Sequence, residues 1–361
     1  MKLNQRHRMH GFSIVELMVA MTISLIILGA VIAILVSSKK NYTTQDSMAR
    51  LQENARFAMQ FIVHDLRMAG YFGCADDMDS ITNTVNGAGG GNPFDISTPV
   101  QGSENMSNWY PGNTAAPPTG MLANTDALAL RYLDGSTAVT VDGPFMPNTS
   151  AALHISGTGL KTGEIVMVTD CKSASMFQIT GPGSAGDVIT NNTVVHNTGT
   201  GTPGNATKDL GKIYEGDAKI MKFYYASYFI RNNPSGQPSL YRETLGLNTA
   251  TGTVATSAEE MVEGVDNIQI LYGEDTANND RVPDIYRKAN AVANWNNVVS
   301  VRVGLLVRTL ANTESGNKQY GQEKDRRSYD LDADGADDVT NPNDRYERRI
   351  FQATVTLRNR Q

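Results

Sequence analysis

Residues 17–36 read LMVAMTISLIILGAVIAILV, twenty consecutive positions without a charge and with only Thr22 and Ser24 as hydroxyls. A helix rising 1.5 Å per residue needs about 20 such residues to cross the ~30 Å hydrocarbon layer of a bilayer. No other feature of the chain constrains its fold as strongly: this run predicts a transmembrane helix. Ahead of it, MKLNQRHRMHG carries Lys2, Arg6 and Arg8 and no acid, and Lys39 and Lys40 follow it. The fixed positive charges of the leading segment predict that this side stays in the cytoplasm and that the body of the chain is exported. A secretory signal peptide would place small residues in an A-x-A-like site after its apolar region, but SSKKNYTT follows Val36. The span is therefore expected to be retained.

Glu16 stands at the edge of this apolar run, five residues after Gly11. A carboxylate in hydrocarbon is costly unless paired, so it marks either a functional group or a residue held at headgroup level near the cytoplasmic end. The stretch G-F-S-x-x-E-L, Gly11 to Leu17, resembles the type III signal of type IV prepilins. That resemblance implies a leader over residues 1–11, cut by a membrane-embedded aspartyl peptidase between Gly11 and Phe12, with methylation of the new Phe12 amine. Glu16 becomes the fifth residue of the mature chain, and its implied partner is the α-amino group of Phe12 in a neighbouring subunit.

Beyond the span, Met48, Leu51, Ala55, Ala58, Ile62, Leu66 and Ala69 recur at steps of three or four, with Phe57, Met59 and Phe61 widening the apolar face. Arg50, Glu53, Arg56, Asp65 and Arg67 fall between them. Gly70 suits a left-handed helix stop. One continuous helix from Phe12 to about Ala69 is predicted: residues 12–36 for membrane and assembly, and residues 37–70 as an amphipathic continuation packed on a globular domain at 71–361.

After Gly70 the chain is rich in Gly, Asn, Thr, Ser and Pro, and its apolar runs are short, as expected for β-structure with long loops. Strands are predicted at Ala127–Tyr132, Ile165–Thr169, Met176–Thr180, Ile220–Ile230, Ile268–Tyr272, Val298–Val307 and Ile350–Leu357. In the last, Phe351, Ala353, Val355 and Leu357 alternate with Gln352, Thr354 and Thr356, the pattern of a half-buried antiparallel strand. Residues 83–118 and 190–207 read as loops, and an inserted subdomain around 75–215 is an option. The two cysteines, Cys74 and Cys171, lack C-x-x-C spacing and are either buried thiols or a disulfide, according to compartment.

Several segments, LQENARFAMQFIVHDLRMAGYFGC (51–74), VTDCKSASMFQIT (168–180), IQILYGED (268–275), VSVRVGLLVRT (299–309) and RRIFQATVTLRNR (348–360), resemble the PilW family of type IV pilus minor pilins. The resemblance implies an α+β, pilin-like fold: a long N-terminal helix packed on a mainly antiparallel sheet domain. It further implies pairing of Cys74 with Cys171, and an inner-membrane, single-pass chain with a periplasmic domain in a Gram-negative bacterium that later enters a pilus, near its tip. Its implied partners are the prepilin peptidase, the assembly platform, other minor pilins, the major pilin and a large tip adhesin.

One loop stands outside that picture. In YDLDADGADDVTN (329–341), Asp330, Asp332, Asp334, Gly335 and Asp338 match positions one, three, five, six and nine of an EF-hand calcium loop. Position twelve is Asn341 rather than a bidentate Glu, no helical pattern flanks the loop, and Arg326, Arg327, Arg345, Arg348 and Arg349 stand close enough in sequence to neutralise it. Two readings stay open, a solvated acidic loop and a calcium-stabilised one; a second acidic stretch, GEDTANNDRVPD (273–284), offers Asp275, Asn279, Asp280 and Asp284 but lacks the alternating spacing, and no cofactor is otherwise required.

Other chemistry finds little support. Net charge is −6, from 31 basic and 37 acidic residues, and the basic ones are scattered, so no nucleic-acid footprint is expected. GTGTPG (199–204) follows no predicted strand and opens no helix, which reads as a loop rather than a dinucleotide site. His64, His154 and His196 show no metal-ligand spacing, there is no G-x-S-x-G elbow, and catalysis is not expected. The expected function is assembly: a minor pilin, with a minor pseudopilin of a type II secretion system and a calcium-dependent periplasmic binding module as alternatives.

Overall fold

The computed structural model describes residues 13–74, 80–87, 92–111, 117–311, 327–340 and 342–359. Gly11, Phe12, Arg326 and Asn341 lie outside the described residues. The chain divides into two compact units between Arg50 and Leu51, and helix α1 runs Ile14–Met68. The division falls later than the membrane boundary expected at Val36, so residues 37–50 belong with the apolar stretch.

In the first unit every side chain from Ser13 to Lys39 is exposed, Ile14, Leu25 and Ile26 among them. A helix apolar on all sides satisfies its own backbone and leaves its surface to lipid or to other apolar helices. Even Thr22 is served internally, its hydroxyl donating to the Val19 carbonyl at 2.8 Å.

In the second unit the helix buries Leu51, Ala55, Ala58, Ile62 and Leu66, the predicted stripe. Two positions differ from expectation. Phe57 stays 48% exposed and meets Phe61 edge-on, while Asp65, read as polar-face, is buried. The helix stops as the glycine predicted: Gly70 has φ +78°, and its α-carbon lies so close to the Asn359 backbone that an added Cβ would sit 3.0 Å from that carbonyl oxygen. The Asn359 side-chain amide donates to the carbonyls of Arg67 (3.2 Å) and Met68 (3.4 Å), satisfying acceptors that a helix end leaves open.

The described residues form three sheets. The largest contains β1 (Ile81–Asn83), β2 (Val100–Ser103), β3 (Ala127–Val141), β4 (Leu153–Ser156), β5 (Ile165–Thr169), β6 (Ala174–Gln178), β7 (Thr193–Val194), β8 (Lys219–Asn232), β9 (Pro238–Asn248) and β10 (Thr253–Glu263). The long antiparallel pair β3–β8 is its spine. The first half of β8 also pairs with β5 and its second half with β9, which carries β10 in turn. Within this sheet β1 and β6 run parallel and the other pairs antiparallel.

Residues 139–220 gather an apolar cluster that includes Val166, Phe177, Ile179 and Tyr214. Of the strands in the 75–215 segment, β3 and β5 pair directly with β8, so the segment shares its sheet with β8–β10. The second sheet, antiparallel throughout, orders β12 (Ile285–Arg287), β11 (Val265–Glu274), β13 (Val298–Arg308) and β16 (Arg348–Thr356). Asp126 stitches the two sheets together. Its backbone N–H donates to Ile268 (3.0 Å), and its carboxyl accepts from the Ile270 N–H (2.9 Å). A short ladder, β14 (Ser328–Tyr329) with β15 (Val339–Thr340), frames the acidic loop between β13 and β16.

All seven predicted strands are present, and β16 alternates as read, with Val355 and Leu357 buried and Gln352, Thr354 and Thr356 exposed. The β9–β10 hairpin was not expected. Ala255–Glu260 is exposed at six successive positions, so no buried face imposes the period-2 hydrophobic pattern by which a strand is read.

Candidate assembly helix and acidic loop

The apolar helix begins with a capping box. Ser13 Oγ accepts from the Val15 N–H (3.3 Å), and the Glu16 carboxylate reaches back to accept from the Ser13 N–H at 3.1 Å. The S-x-x-E spacing of Ser13 and Glu16 is the sequence signal of this cap. Glu16 thus has a local task, stabilising the positive end of the helix dipole. That bond uses Oε2, and a carboxylate can accept several bonds, so capacity remains for an external donor.

Two features hold the end of the helix in the second unit. Cys74 is joined to Cys171 by a disulfide, with 4.4 Å between α-carbons. Cys171 lies in the β5–β6 turn at φ +68°, where the Asp170 carboxylate accepts from the N–H groups of Lys172 and Ser173. One turn from the helix end, Asp65 accepts from the hydroxyls of Tyr132 on β3 (2.9 Å) and Tyr228 on β8 (2.6 Å). Burial, reinforced by the Asp65 charge, pushes both phenols well above their ordinary value, so they remain donors.

The acidic loop is pressed onto the second sheet. Leu331 is fully buried with Leu306 and Tyr329; its carbonyl accepts from Gln352 Nε2 on β16 (2.8 Å), and the Asp332 carbonyl accepts from Arg302 on β13 (3.2 Å). The approach requires a glycine, because a Cβ on Gly304 would fall inside the Leu331 carbonyl group. Gly304→Ala is expected to cost about 1–3 kcal/mol as the loop is pushed away. The control is Gly246→Ala, whose Cβ would meet its nearest atom at 3.8 Å. Urea midpoints that fall equally in the two variants would remove the close-approach account.

Among the four aspartates singled out by spacing, the fold brings Asp330, Asp332 and Asp338 together, with one carboxylate oxygen of each within 4.8 Å of the others. Asp334 turns to Lys288 instead, its Oδ2 3.5 Å from the ammonium. Lys288, remote in sequence, also lies 4.0 Å from Asp338. Two of the arginines near in sequence have other partners: Arg348 grips Asp344 and Asp266, and Arg327 lies 3.4 Å from Glu347. Burial, then the charges of Asp338 and Asp334, pushes Asp332 up to about 6. The second acidic stretch closes on itself, with Asp275 accepting from Asn279 and Arg281 and Asp284 from Thr276 and Ala277. GTGTPG forms a turn docked on Gln178 through the Gly204 N–H.

Two family models match the chain. The prokaryotic N-terminal methylation motif covers residues 6–32, and the type IV pilus-assembly protein W model covers residues 227–359, from β8 through β16. Over those C-terminal residues the chain is similar to the PilW family. No curated protein and no solved structure matches it. The two matches, with the apolar helix, mark a membrane-anchored, single-pass pilin with a C-terminal domain, involved in type IV pilus assembly. The PilW match covers the second sheet and the acidic loop, whereas most of the first sheet, including β1–β7, precedes it.

Proposed function

We propose that this chain is a minor pilin that joins other minor pilins in a complex priming pilus polymerisation and remains near the pilus tip. The observation that carries the reading is the first unit, a helix exposed and apolar on every side with a carboxylate at its capped start. In lipid that surface is at rest. Extracted into water it must be covered by like surfaces, and burial at about 25 cal/mol per Å² drives the helices into a filament core.

On this reading a peptidase cuts between Gly11 and Phe12, and the freed, methylated Phe12 amine of one subunit meets Glu16 of the next. Pairing removes the cost of a lone charge in an apolar core and sets axial register. The pilus reading is favoured over a secretion-system pseudopilin by the PilW match at 227–359, which lies far from the signal that both share.

The test is a strain carrying Glu16→Ala as the sole copy. The protein should still be processed to a Phe12 N-terminus, while pilus number falls to that of the deletion strain and the variant is missing from sheared pili. Gly11→Ala should instead leave a membrane-held precursor. Wild-type pilus counts with Glu16→Ala would refute the pairing role, and intact pili alongside lost secretion would move the chain to a secretion system.

A further inference from the structure

We propose that Asp330, Asp332 and Asp338 bind one calcium ion, which fastens the loop between β13 and β16 onto the second sheet. Calcium binds oxygen ligands at 2.3–2.6 Å, so two oxygens on one ion can stand no more than about 5 Å apart. The 4.8 Å limit on this trio meets that condition. An independent observation singles out Asp332. It is 1% exposed; its Oδ1 accepts from the Asp334 N–H, whereas Oδ2 has no hydrogen-bond partner among the described residues. A buried carboxylate with an unpartnered oxygen, grouped with two more carboxylates, is unfavourable unless a cation occupies the space between them.

The surroundings deepen the negative potential. Glu104, 5% exposed in the segment after β2, also has an oxygen without a partner, and its charge acts on the same aspartates. Lys288 stands among Glu104 and three loop aspartates, Asp332, Asp334 and Asp338, and it lies nearest Asp334, outside the trio. An all-carboxylate donor set excludes the softer transition metals, and its irregular spacing suits calcium better than magnesium, which demands a near-ideal octahedron. Short strands frame the loop in place of EF-hand helices, so the site's role is to hold a loop rather than to open a helix pair.

The experiment titrates the full chain in detergent with calcium chloride, read by calorimetry and by thermal unfolding. One ion per chain is expected, with Kd on the order of 10⁻⁴–10⁻³ M, the range of extracellular calcium modules, and a rise in Tm that equal magnesium does not reproduce. Asp332→Asn should weaken binding at least about tenfold, since losing a supporting partner alone costs 10–100-fold. Lys288→Met, which removes the competing ammonium, should tighten it. No heat and no Tm shift at about 10 mM calcium, well above the expected Kd, would overturn the site. So would unchanged affinity in Asp332→Asn or, should that variant not fold, unchanged or weaker affinity in Lys288→Met.

Discussion

Replacing Cys74 by Ser is expected to lower the stability of the globular unit by about 4–5 kcal/mol, the largest effect of any single change considered. The disulfide spans 97 residues of sequence, and the chain-entropy relation assigns a loop of that size about 4.7 kcal/mol of lost freedom in the unfolded state. The native side of the balance changes little. Gly73 already presses on β5, where an added Cβ would sit 2.7 Å from Thr169 Cγ2, so the segment remains seated without the bond. Urea unfolding of oxidised wild type, reduced wild type and Cys74→Ser measures it. The two forms lacking the bond should agree with each other, and a loss below about 1 kcal/mol would show that the constraint is not where the stability lies.

Asp65→Ala should cost about 3–5 kcal/mol, because two buried hydroxyls lose their acceptor at once. Tyr228 is fully buried and Tyr132 nearly so, and both lose their acceptor together. Each stranded hydroxyl contributes about 1–3 kcal/mol. A double-mutant cycle separates this from simple loss of packing. Tyr228→Phe should destabilise the wild type but cost almost nothing once Asp65 is gone, because the stranded hydroxyl goes with it. Equal costs in both backgrounds would mean that the hydrogen bonds do not couple the helix to β3 and β8.

The contrast between Asp65 and its helical neighbours shows what spacing can reveal. Leu51, Ala55, Ala58, Ile62 and Leu66 were readable because hydrophobic burial is non-directional and leaves its period in the chain. Asp65 lies on the same face, but a buried acid is tolerable only with specific donors. Those donors, Tyr132 and Tyr228, stand 67 and 163 residues away in sequence. Likewise β16 was legible through its one buried face, while β10, exposed along most of its length, was not.

The acidic loop divides in the same way. Its aspartate spacing is local, and the turns that Asp330, Asp332 and Asp334 make with following N–H groups are dictated locally. Which three carboxylates converge, that Lys288 takes the fourth, and that Gly304 admits the Leu331 carbonyl depend on how the second sheet packs.

From sequence alone, then, came the membrane helix, the acidic residue at its start, its stop at Gly70 and the strands with one apolar face. Each rests on interactions within a few residues or on a one-dimensional hydrophobic period. Only the tertiary structure decided that Asp65 is buried under two tyrosines, that Asn359 closes the helix end, and that three aspartates share one space. These depend on groups brought together across long loops, whose pairing no local preference encodes.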